Sequence, residues 1–107
     1  MSYPIASSLL DGIVLAVVER ESTYGYRITQ DVQKVLDISE STLYPVLRRL
    51  QKDGCLTSFW QETAEGLPPR KYYEITGAGR EYLSAMRREW DELNGAIEAL
   101  KGDGENE

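Results

Sequence analysis

Apolar residues run nearly all the way round the segment 5–20, which is rich in Leu, Ile and Val and has Ser7 or Ser8 available as a cap. This pattern predicts a helix buried on more than one side. In a chain of 107 residues the first helix is rarely surrounded by the chain's own mass, so a partner chain is expected to cover part of it, Leu9 included. Thr23 is placed to cap a second helix, in which Tyr24, Ile28, Val32, Val35 and Leu36 recur at helical spacing while Arg27, Gln30 and Lys34 take polar positions. Residues 37–39 then make a turn.

A third helix follows over residues 39–54. At about 100° per residue Leu43, Val46, Leu47 and Leu50 form one apolar stripe. Ser41, Tyr44, Pro45, Arg48 and Lys52 look the other way, with Arg49 at the edge. Pro45 lacks an N–H and is tolerated near a first turn; if Ser41 is the cap, only the first intrahelical bond is lost, and a helix beginning well before Ser39 would contradict the assignment. Gly54 ends the helix, as a residue in the left-handed region commonly does.

Two strand-like runs come next, 55–61 and 70–76, separated by residues 63–69, whose Gly66, Pro68 and Pro69 cannot sustain a ladder. Arg70 and Lys71 leave that tip together. A helix with an apolar back and a hydroxyl-rich, cationic front, trailed by such a hairpin, has the layout of a winged helix-turn-helix that meets duplex DNA. The plainer readings are a solvated basic helix face and edge cations that discourage strand aggregation.

From Thr76 the spacing predicts a last helix with Leu83, Met86, Trp90, Leu93, Ile97 and Leu100 at steps of 3, 4, 3, 4 and 3. This heptad seam predicts a homodimer whose interface holds those six residues and Leu9. Two-fold symmetry in turn predicts a pseudo-palindromic operator in double-stranded DNA. The fold class expected is α+β, mostly helical. Residues 1–76 form the winged helix-turn-helix DNA-binding domain with its N-terminal helix, 77–101 the C-terminal dimerisation helix and 102–107 a disordered tail.

Composition narrows the chemistry. No histidine is present, which removes the commonest general base and the commonest zinc ligand, so neither an enzyme nor a metal or other cofactor is expected. The single Cys55 reads as a small core residue rather than a reactive thiol. The net charge of -6 counts against a DNA binder until its distribution is considered. Residues 20–80 carry nine cations against eight acids, and residues 81–107 carry three against eight. Acid is segregated to the end, and screening over about 8 Å leaves a basic patch elsewhere largely unopposed. No apolar run approaches the roughly 20 residues that span a bilayer, and the start lacks a secretion signal, so the expected location is the cytoplasm.

Tyr24, Gly25 and Tyr26, then residues 41–50 (Ser-Thr-Leu-Tyr-Pro-Val-Leu-Arg-Arg-Leu) with Lys52, Asp53 and Gly54, then residues 70–76 (Arg-Lys-Tyr-Tyr-Glu-Ile-Thr) with Gly79, closely resemble the PadR family of bacterial transcriptional regulators. The likeness spans roughly residues 5–100. It implies a winged-helix dimer, usually a repressor, paired through the C-terminal helix. The single C-terminal helix resembles the smaller subgroup that includes multidrug-sensing repressors. By that likeness Trp90 would stack a planar aromatic effector between subunits, with Met86, Leu93 and Asn94 beside it; packing within the seam is the competing role. Ser41, Thr42, Tyr44, Arg48, Arg49 and Lys52 are the expected groove-side residues, with Arg70 and Lys71 on the backbone. A winged helix that docks on proteins instead of DNA is the alternative.

Overall fold

The computed structural model describes residues 7–105, with side chains over 8–101. The chain runs α1 (Ser7–Arg20), β1 (Thr23–Tyr24), α2 (Gly25–Gln33), α3 (Glu40–Lys52), β2 (Leu56–Gln61), β3 (Arg70–Ile75) and α4 (Gly77–Glu105). The fold class is the one expected, mostly helical α+β with a small sheet and a long last helix. Ile5 lies outside the described residues.

The core sits where α1, α2 and α3 meet the inner face of the sheet. Leu15, Ile28, Leu43, Leu47, Leu50 and Leu56 are fully buried there, each side chain contributing about 1.5–3 kcal/mol by leaving water. The apolar stripe of α3 is entirely inside, since Leu43, Val46, Leu47 and Leu50 are all buried. α1 behaves differently on its two sides: Leu10, Val14, Leu15 and Val18 are core, whereas Leu9, Ile13, Ala16 and Val17 are only partly covered.

Three sequence expectations shift. Thr23 does not cap α2. It pairs with Tyr73 in β1, and the sheet order is β1-β3-β2, all antiparallel. A two-residue strand carries no periodicity of its own and exists because β3 supplies its partner. α2 ends at Gln33, so Val35 lies beyond it and is 70% exposed. The cap of α3 is Ser39, not Ser41: its extended backbone turns the chain in, and its carbonyl accepts from both Thr42 N and Leu43 N at 3.1 and 3.3 Å. Pro45 is consequently the sixth helical residue, and the carbonyl that an N–H at position 45 would have met belongs to Ser41, an exposed residue. The helix loses one bond and continues.

The hairpin matches the expected strands within one residue, in the register Leu56↔Ile75 through Gln61↔Arg70. Gly54 has φ 81, the left-handed value that ends α3 without a β-carbon clash. The start of α4 locks onto this corner. Thr76 N donates to Cys55 O at 3.0 Å, Thr76 Oγ1 donates to Gly54 O at 2.6 Å, and Gly79 N donates to Thr76 Oγ1 at 3.0 Å, making Thr76 the cap of α4. Gly79 is required by contact, because a β-carbon there would lie 2.2 Å from the Cys55 carbonyl oxygen.

α4 runs on to Glu105, so residues 102–105 of the expected tail are helical backbone, and only residues 106–107 lie outside the described residues. Extending a helix that is already nucleated costs little per residue even past glycine. Among the described residues no helix is long and apolar enough to cross a membrane.

Candidate nucleic-acid interface

With its apolar residues committed to the core, α3 presents Ser41, Thr42, Pro45, Arg48 and Lys52 on its exposed side. The hydroxyls cluster at the first turn, where Ser39 Oγ lies 2.9 Å from Ser41 Oγ and 3.1 Å from Thr42 Oγ1. Each of these groups can donate or accept, which suits either a phosphate oxygen or a base edge. Glu40 at the first turn sits where the helix dipole favours an acid.

Two members of the expected set are placed otherwise. Tyr44 is half-buried, packed against the core, and lies over the start of α2, where a β-carbon on Gly25 would meet its ring at 3.1 Å. Arg49 is committed elsewhere: its guanidinium forks onto Asp11, which is buried in α1, and Asp53 Oδ2 lies 3.9 Å from the same Nη1 that donates to Asp11. The hydrogen bond to Asp11 holds the Arg49 pKa above its ordinary value. A cation shared by two carboxylates has little left for a phosphate, so Arg48 and Lys52 are the free cations of the helix.

The sheet fixes the wing against this helix. Gln51 Nε2 donates to Ser58 Oγ at 2.9 Å, tying the last turn of α3 to β2. Ser58 pairs with Tyr73 in the register, and Tyr73 is buried. Burial pushes the Tyr73 phenol pKa up, and the nearby charge of Arg48 partly opposes this. Lys71 Nζ lies 5.5 Å from the centre of the Tyr73 ring, on the same side of the sheet. Trp60, opposite Lys71 in the register, is 69% exposed.

The other side of the sheet carries Arg70, held 4.4 Å over the Tyr24 ring, with Tyr24, Tyr72 and Phe59 in contact beneath. The two wing cations therefore leave on opposite faces of β3, as alternation requires. At the tip Gly66 has φ 86, and Thr63 Oγ1 donates to Pro68 O at 3.0 Å.

The seam of α4 divides in two. Leu83 and Met86 are buried within the chain against α1, while Trp90, Leu93, Ile97 and Leu100 are 44–77% exposed. The first pair is thus already core, because α4 crosses the partly covered side of α1 at that point. A groove of about 230 Å³ remains between the two helices, lined by Leu9, Ile13, Ala16, Leu83, Met86 and Trp90 among others. Of the expected ligand set Met86 and Trp90 line it; Leu93 and Asn94 lie further along α4, exposed.

Asp11, Gln51 and Tyr82 are not singled out by the sequence. A visible signal existed for Asp11: a carboxylate inside an otherwise apolar helix demands a buried donor.

The model of the PadR-like family of transcriptional regulators matches residues 14–85, which takes in the core, α3 and the hairpin. A transcriptional regulator of Mycobacterium tuberculosis is 41% identical over 81 residues, 76% of this chain and 63% of that protein. A Streptococcus mutans protein of known structure superposes with a TM-score of 0.83 at 35% identity, covering 95% of this chain and 94% of that one. A PadR-like transcriptional regulator of Bacillus cereus superposes with a TM-score of 0.76 at 31% identity, covering 85% and 89%. With more than half its length matched by the family model and its fold shared over 85–95% of its length with such relatives, the chain belongs to the PadR-like family of transcriptional regulators.

Proposed function

We propose that this regulator works in the cytoplasm as a homodimeric repressor. In this reading two copies pair through the exposed half of α4, so that two α3 helices face successive turns of a pseudo-palindromic operator. The observation that carries the reading is the division of α3. Every residue of its apolar stripe is buried while Ser41, Thr42, Arg48 and Lys52 are exposed. Arg48 is the base-edge reader, the two hydroxyls set the entry of the helix, and Lys52, Arg70 and Lys71 take phosphates.

Titrating the protein against duplexes that it selects from a random-sequence pool, at several salt concentrations, tests this. Arg48→Ala is expected to cost about 1–3 kcal/mol and to relax the sequence preference, while Lys52→Ala lowers the salt slope by about one. An intact dimer whose Arg48→Ala form binds as wild type does overturns the assignment. Binding that ignores salt points instead to a winged helix that docks on proteins.

The groove between α1 and α4 supports an effector site. Its apolar lining and the half-exposed Trp90 suit a planar aromatic compound, which would alter the spacing of the two α3 helices. A differential affinity of about 1–3 kcal/mol between the two spacings suffices for release. Quenching of tryptophan fluorescence by flat aromatic compounds should disappear in Trp90→Ala; quenching that survives moves the site to Trp60 or removes it.

A further inference from the structure

Asp11 is an acid on an otherwise apolar stretch of helix and is 2% exposed. Two groups from distant parts of the chain converge on it. Arg49 Nη1 donates to Oδ2 at 3.1 Å and Nη2 donates to Oδ1, while Tyr82 Oη donates to Oδ2 at 2.9 Å. Arg49 belongs to the last turn of α3 and Tyr82 to the second turn of α4. One carboxylate thus joins the helix assigned to the groove with the helix assigned to pairing.

Stability alone is a poor reason for this arrangement. Removing a carboxylate from water is costly, and well-packed apolar side chains of similar volume commonly stabilise as much or more. What an apolar set cannot supply is direction. A guanidinium fork donates to a carboxylate in one plane, and the phenol adds a third bond from a different helix. Together they fix how α3 is turned about its axis and how it stands to α4.

We propose that Asp11 is the positioning residue of the recognition helix, holding α3 through Arg49 and α4 through Tyr82 so that the setting of α4 reaches the groove-side residues. This rests on the DNA-reading role given to α3 above. Arg49 then shapes specificity without touching DNA, and Arg48, one residue earlier, is aimed by it.

The test compares four full-length proteins on one duplex selected by wild type from a random pool and on one unselected duplex, over a salt series. Tyr82→Phe removes only the phenol hydroxyl. It is expected to keep the dimer and the salt slope and to lower the selected-to-unselected affinity ratio about tenfold. Asp11→Leu with Arg49→Met replaces the ion pair by an apolar pair; it should restore packing, leave the salt slope as in wild type and still lose selectivity. Arg48→Ala, the fourth protein, loses selectivity if α3 reads DNA at all. Retained selectivity in both Tyr82→Phe and the apolar pair overturns the proposal, as does a salt slope lower by about one in the apolar pair, which would make Arg49 a phosphate contact. Should the apolar pair not fold, Tyr82→Phe decides alone. If wild type selects no duplex, or Arg48→Ala binds unchanged, the DNA reading fails first and the positioning role falls with it.

Discussion

Arg49 is held by Asp11 across 38 residues of sequence, and the two partners differ in surroundings: the side chain of Asp11 is 3% exposed and that of Arg49 43%. This asymmetry decides what each deletion does. Arg49→Ala strands a carboxylate out of water with Tyr82 as its remaining donor, and is expected to cost about 3 kcal/mol or more. Asp11→Ala leaves a guanidinium that can turn to solvent and to Asp53, and is expected to cost about 1–2 kcal/mol. Urea denaturation of both variants checks the order; equal losses would mean that the pair is no more buried on one side than on the other.

Gly79 meets the Cys55 carbonyl at the corner that joins α3 to α4. Gly79→Ala would gain helix propensity on an open surface, but here backbone stands in the way. The expected result is a loss of about 1–3 kcal/mol from overpacking, seen as a lower denaturation midpoint. A stabilised Gly79→Ala protein would show that the corner opens freely.

Pro45 interrupts α3 where alanine would restore an N–H to the Ser41 carbonyl. Interior proline costs a helix about 3 kcal/mol relative to alanine, part of which is offset by the greater freedom that alanine gives the unfolded chain. Pro45→Ala is therefore expected to raise stability by about 1 kcal/mol or more. Calorimetric melting checks this, and a lowered midpoint would indicate that the proline ring is packed rather than merely tolerated.

Alkaline pH should weaken the fold in a defined order. Burial raises the Cys55 thiol pKa; burial and then the hydrogen bond to Asp11 raise that of Tyr82; burial raises that of Tyr73. An acid whose folded pKa is raised keeps its proton in the native state after the unfolded chain has lost it. Stability is thus fully present below the unfolded values, about 8.5 for Cys and about 10 for Tyr, and declines as pH rises above them. The urea midpoint should begin to fall above about pH 8.5, and Cys55→Ala should delay that first decline. An onset unaltered in Cys55→Ala would place the titration elsewhere.

Much of the fold and of the candidate site was legible in sequence. The stripe of Leu43, Val46, Leu47 and Leu50, the hairpin with its two cations and the seam of α4 are local repeats of 3.6, 2 and 3.5 residues, and a local repeat fixes which face of an element is apolar whatever packs against it. The free side of α3 follows by subtraction, so the exposure of Ser41, Thr42, Arg48 and Lys52 is legible without any neighbour.

Partners were not legible, because no local pattern encodes them. The Tyr82 hydroxyl reaches Asp11 from 71 residues away, β1 forms only because β3 lies beside it, and Arg49 is engaged by an acid on another helix. Leu83 and Met86 share a heptad seam with Leu93 and Ile97 yet end in the chain's own core, since α1 covers the first part of α4 and leaves the rest open. Periodicity says that a face must be buried or paired; the path of the folded chain decides which residue meets it.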